Sequence, residues 1–110
     1  MLSKKNRLRK KKEFNFIYKK GKSFYSKFLT LFIVETKLNI SKFGFSISNK
    51  VGNSVVRHKI KRVISEIIRE KLDSLPTYNY IIVARKGCEN LDFVELKNNI
   101  EYLFKKANIV

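Results

Sequence analysis

The 110-residue chain has one cysteine, one histidine, one proline and four glycines, and only nine acidic residues against 25 lysines and arginines. The single cysteine, Cys88, leaves no partner for an intramolecular disulfide, which suits a reducing compartment. Directly after Gly87 it reads as an ordinary small residue. The single histidine, His58, stands among cations, far from Cys88, and no metal-ligand spacing occurs. The few acids form no cluster, and Lys50-Val51-Gly52-Asn53 is too short to be a phosphate-cradling glycine loop. A protein-based active site is therefore not expected. No apolar run approaches the roughly 18 residues of a membrane span, and the first residues lack the apolar core of a signal peptide. A soluble, cytoplasmic protein is expected, with no membrane and no small-molecule ligand. The Asn39-Ile40-Ser41 sequon reads as chance in such a chain.

What the chain does have is apolar mass and positive charge. Hydrophobic residues make up 44%, with nine Phe and five Tyr, enough for one core and, at this length, only one. A single domain over residues 1–110 is expected. The formal charge is +16. Such an excess repels itself in a compact state and is ordinarily offset by a polyanion. Nucleic acid, an anionic membrane surface and an acidic protein are the candidates. The charge is also uneven. Residues 1–27 carry eleven Lys or Arg against one acid, and residues 50–72 carry seven against two. Residues 73–110 balance five against five. A uniformly solubilising surface does not give that asymmetry.

Residues 1–12 are polar and basic without a hydrophobic period, which predicts an extended or mobile arm. Phe14, Ile17 and Tyr18 at helical spacing predict a short helix ended by Gly21. Phe28 to Val34 is a β-branched and aromatic run, and Phe43, Phe45 and Ile47 alternate with small residues. Both predict strands, joined by a hairpin connection over 37–42. Asn53 or Ser54 could cap a helix over 55–72 whose apolar positions 56, 60, 63, 64 and 67 form one stripe. His58, Arg62, Ser65 and Arg69 fall opposite, with Lys61 at the margin. Pro76 breaks this helix. Tyr80 to Ala84 predicts another strand, and Phe93, Leu96, Ile100, Leu103 and Phe104 a closing helix capped by Asn90 or Asp92. The order predicts an α/β fold, specifically an α+β two-layer sandwich of three or four strands. If the strands flanking the 55–72 helix are parallel, it is a βαβ crossover, right-handed by default.

Two features carry chemistry. Arg57, Lys59, Lys61, Arg62 and Arg69 lie on one helix opposed only by Glu66 and Glu70, too few acids for internal pairing. A phosphate-contacting face accounts for them better than a solvated one. Phe14 and Tyr18 lie beside Lys10, Lys11 and Lys12, an interleaving that suits stacking of unpaired bases. Phe16, Phe24 and Tyr25 are assigned to the core.

The stretch from Lys50 to Arg62, KVGNSVVRHKIKR, strongly resembles the signature of the bacterial ribonuclease P protein. Asn6-Arg7-Leu8-Arg9 with Glu13-Phe14 and Gly21 resembles that family's opening. Gly44 to Ser48 resembles the strand before the signature, and Tyr78 to Arg85 a later segment in which Asn79 replaces an acid. The likeness spans nearly the whole chain in order. It implies three helices on four strands, related to a ribosomal-protein domain, with an unusual left-handed crossover. It implies an endoribonuclease whose catalytic centre is in an RNA that binds Mg²⁺, with the protein contributing no catalytic residue and no metal ligand. The partners it implies are that catalytic RNA and precursor tRNA, whose 5′ leader is removed. Carried over by position, the RNA-binding set is Lys50, Arg57, His58, Lys59, Lys61, Arg62 and Arg69, with Arg7 and Arg9. The leader cleft would comprise Lys12, Phe14, Tyr18 and Phe32. The family usually has Asn at position 58 and Arg at 59 and 65. Lys59 keeps the charge without the guanidinium fork, and Ser65 removes one charge.

A ribosomal protein or general RNA chaperone would also explain the charge, but not the ordered string of family segments. A helix-turn-helix regulator lacks a partner helix before residue 55. A membrane-surface role lacks an apolar face on the arm.

Overall fold

The computed structural model describes residues 2–109. Its centre is the strand β4 (Tyr78–Ala84), where Tyr80, Ile81, Ile82 and Ala84 are all fully buried. A continuous apolar run is what a strand covered on both faces requires. Four strands lie in the order β1-β2-β4-β3, with β1 Lys22–Tyr25, β2 Leu29–Glu35 and β3 Lys42–Ile47. β2 is antiparallel to both neighbours, placing Leu31 against Ile82 and Phe32 against Ile81. β3 runs parallel to β4, with Lys42 opposite Asn79 and Ile47 opposite Ala84. The expected hairpin over 37–42 is not formed, because β4 inserts between β2 and β3. The apolar runs mark these two strands correctly, but local sequence does not record a later strand arriving between them.

Three helices complete the fold: α1 (Lys11–Lys20), α2 (Ser54–Lys71) and α3 (Phe93–Lys106). α2 is the βαβ connection between β3 and β4. Its N-cap is Asn53, whose Oδ1 accepts the Val56 amide at 3.0 Å. Asp92 caps α3 in a reciprocal box with Glu95, at 2.8 and 3.1 Å. The period of two along the strands then sorts the molecule. Leu31, Ile33, Phe43, Tyr80 and Ile82 face α2 and α3 and form the main core with Ile64, Ile67, Ile68, Ile100 and Phe104. Phe32, Val34, Ile81 and Val83 face the other way, where Ile17 of α1 and Leu8 meet them. The two-layer sandwich accordingly carries a third, narrower cover on its far side.

Two expectations change here. Ser65 is fully buried rather than on the polar face of α2. α2 packs against both the sheet and its neighbour α3 on the same face, so its buried stripe is broad enough to take in Ser65 and Ile68. The hydroxyl is satisfied by donating to the Lys61 carbonyl at 2.7 Å. The basic arm is docked rather than extended into solvent. Leu2, Asn6 and Leu8 are buried, residues Lys4–Asn6 form a 3-10 turn, and Asn6 Nδ2 donates to the Ser41 carbonyl at 2.8 Å. The Leu8 amide donates to Phe43 O at 2.9 Å. Leu2, Asn6 and Leu8 make no helical or strand period, yet three anchors suffice to lay a short segment along β3.

Candidate nucleic-acid interface

α1 crosses the far face of the sheet with its aromatic side down. Phe14 and Tyr18 are one turn apart, their ring centroids 6.4 Å from each other, and Tyr18 meets Phe32 edge-on at 5.0 Å. This approach depends on Gly44. A Cβ there would lie 2.5 Å from the Phe14 ring and 3.0 Å from Leu8. The three rings assigned to a leader cleft thus form one continuous aromatic row, with Tyr18 exposed at its rim.

Phe16 and Tyr25, assigned to the core, are instead each 55% exposed. Two residues along a helix is a 200° turn, so Phe16 points away from Phe14 and cannot share its contacts. Tyr25 ends an edge strand and pairs with Thr30, on the same sheet face as the Ser23–Phe32 pair. It therefore lies on the same sheet face as the aromatic row, on the edge strand. Phe24 does face inward and packs against the core.

Lys12 is not in the aromatic row. It lines a cavity of about 580 Å³ on the opposite side of α1, with Phe16, Lys4, Lys5, Arg7, Arg9, Lys10 and Lys42. The same helical turn that separates Phe16 from Phe14 separates Lys12. Glu13 is the cavity's one acid. Burial pushes its carboxyl up, but the amides of Lys10 and Arg9 at 3.2 and 3.4 Å and the Lys42 ammonium at 3.7 Å outweigh that and hold it below its ordinary value.

The third element is the outward side of α2. Lys50 sits in the 3-10 turn Asn49–Val51 that leads into it. His58, Lys59 and Arg62 are exposed and Lys61 is partly so. Arg57 is oriented by Asn49, whose Oδ1 accepts from Nη1 at 2.7 Å. Arg69 is less available, since Glu66 pairs with it at 2.9 Å. No cluster of His, Cys, Asp or Glu that could hold a metal ion occurs among the described residues. Cys88 is buried, and burial with the nearby Glu89 charge pushes its thiol up to about 11, far from a reactive thiolate. None of the described helices is long and apolar enough to cross a membrane.

A docked arm, an aromatic row and a cationic α2 on this sheet order match a known architecture, and the ribonuclease P family model matches residues 2–108. The chain belongs to the ribonuclease P protein family. It is 40% identical to the ribonuclease P protein component of Clostridium botulinum strain 657, over 96% of this chain and 97% of that one. The component from Bacillus velezensis is 34% identical over 98% and 94%. Among solved structures, the RNase P protein of Staphylococcus aureus at 2.0 Å superposes with a TM-score of 0.90 at 30% identity, covering 94% of this chain and 96% of that one. That of Thermotoga maritima gives 0.82 at 26% identity, covering 91% and 96%. The chain is a protein subunit of ribonuclease P, a ribonuclease that acts as a ribonucleoprotein.

Against that family, the signature residues Lys50, Arg57, His58, Lys59, Lys61 and Arg62 gather at the start of α2, while Arg7 and Arg9 lie apart, at the arm cavity. One functional candidate escaped the sequence. Phe93 counts as part of the apolar period of α3, yet it is 43% exposed beside Lys59 and Arg62. It shares the face of Leu96 and Ile100, and its place at the first residue of α3, where no earlier turn covers it, is the available signal.

Proposed function

We propose that this subunit binds the catalytic RNA of ribonuclease P through the start of α2 and holds the 5′ leader of precursor tRNA along the Phe14–Tyr18–Phe32 row. The observation that carries the reading is the row itself: Phe14 meets Tyr18 and Tyr18 meets Phe32, open to solvent at Tyr18, with exposed Tyr25 on the same sheet face. Stacking contributes about 1–3 kcal/mol per base and needs no sequence match, which suits a leader of variable sequence. The cations of α2 and its capped N-terminus suit phosphates of a folded RNA. Hydrolysis is assigned to the RNA with its own Mg²⁺, as the family likeness implies. Cleavage is expected in the cytoplasm.

The test is reconstitution with the cognate catalytic RNA at low Mg²⁺, following leader release and binding. With this subunit present, the holoenzyme should bind precursor tRNA at least tenfold more tightly than mature tRNA, and the RNA alone should discriminate less. Equal discrimination with and without the protein would overturn the leader-binding role.

A further inference from the structure

We propose that the groove between α2 and the start of α3 is a stacking site for one unpaired base of the RNA that α2 binds. The inference rests on the α2 reading above and adds a specific contact to it.

A groove of about 440 Å³ is lined by Lys59, Arg62, Val63, Glu66 and Phe93. The four α2 residues follow i, i+3, i+4, i+7 spacing and so make one stripe along the helix. Phe93, the first residue of α3, stands across from them with 43% of its surface exposed. Asp92 and Glu95 fix the helix start on which it sits. Lys59 and Arg62 make no hydrogen bond among the described residues, and the groove's one acid, Glu66, is already held by Arg69 at 2.9 Å. The groove therefore offers the Phe93 ring and Val63 as apolar surface, with Lys59 and Arg62 along the α2 wall.

Charge decides the occupant. In a chain of +16, a second copy seated here would bring like charge to like charge. A nucleotide unit satisfies both surfaces: its base covers the Phe93 ring, and its phosphates meet Arg62 and Lys59. A base inside a duplex presents no free face, so the base must be unpaired. A volume of this size is ample for one nucleoside.

The chain contains no tryptophan, so Phe93→Trp installs a single reporter at the groove. On titration with the cognate catalytic RNA, its emission should fall by at least a third and saturate with the binding isotherm. Phe93→Leu should weaken RNA association about fivefold or more, leaving the slope of log K against log salt unchanged. Lys59→Ala with Arg62→Ala should reduce that slope by about 0.9 per lost phosphate contact. An altered slope in the double variant, with an unquenched indole and undiminished affinity of Phe93→Leu, overturns the stacking site alone. An unchanged slope in the double variant removes the α2 reading and this inference with it. Indole emission that changes with protein concentration in the absence of RNA would assign the groove to a second copy instead. Circular dichroism of each variant, unchanged from the parent, separates these outcomes from misfolding.

Discussion

One face of the sheet is closed by α2 and α3 and the other only by α1 and the docked arm. On the closed face Phe43 stacks flat on Tyr80 at 4.5 Å, Tyr80 meets Phe104, and burial drives the Tyr80 phenol well above its ordinary range. Lys71 and Glu101 at 2.7 Å lock the two helices together. On the far face the buried set is small, Leu8, Ile17 and Ile81, and the rings around it remain partly open. The difference shows how a domain of this size divides its aromatics. Those on the closed face are committed to holding the fold, and those on the far face are held in place but keep surface for a ligand.

The sharpest way to break that comparison is to remove one ring from each face. Phe43→Ala should cost about 3–5 kcal/mol in urea unfolding, because it opens a cavity under Tyr80. That is a large share of the total stability of a small domain. Phe32→Ala should cost about 1 kcal/mol, as for a partly exposed side chain, yet weaken single-stranded RNA binding by about 1–3 kcal/mol. Equal stability losses for the two variants would mean that the faces are not specialised at all.

Gly44 tests how finely the far face is shaped. Gly44→Ala puts a methyl group 2.5 Å from the Phe14 ring, so the ring or α1 must shift at a cost of about 1–3 kcal/mol. The expected signature is selective. Ring-current shifts of Phe14 and Tyr18 in NMR spectra should change, while those of Phe43, Tyr80 and Phe104 stay put. Leader binding should fall with the Phe14 displacement.

The two faces were also unequally legible in the sequence. The closed face follows from period and run length: the α2 stripe, the α3 stripe and the β4 run each give their burial directly. Ser65 was misassigned because a stripe drawn for one packing partner is too narrow for a helix with two. The far face depends on long-range placement. β4 entering between β2 and β3, Leu8 anchoring the arm, and α1 crossing above Gly44 all bring together residues far apart in the chain. Phe14 and Tyr18 are legible from their interleaving with lysines, Phe32 joins them only through family likeness, and Lys12, grouped with them by that likeness, lines the cavity on the other flank of α1. Phe93 was hidden by being apolar in an apolar helix.

The smallest effect concerns the two carboxylates whose pKa values are lowered, one on each side of the sheet. A carboxyl lowered by folding stabilises the fold above its unfolded pKa, and that contribution is lost as pH falls through the folded value. On the closed side Glu101 is lowered first by its hydrogen bond from Lys71; on the far side Glu13 is lowered by the Lys10 and Arg9 amides and Lys42. Acidification below the ordinary carboxylate range should therefore loosen both sides, each through its own acid. Glu13→Gln keeps an acceptor for the Lys10 and Arg9 amides but removes the charge, and should cost about 0.5–1 kcal/mol near neutrality. Its informative consequence is in the pH profile. Amide-exchange protection of α1 should no longer fall in the acid limb, whereas protection at the α2–α3 contact should still do so through Glu101. If the α1 profile of Glu13→Gln still tracks that of the parent, α1 is held by its apolar contacts through Ile17 rather than by the Glu13 charge, and the cations around Glu13 are free to meet phosphate without loosening the helix beneath them.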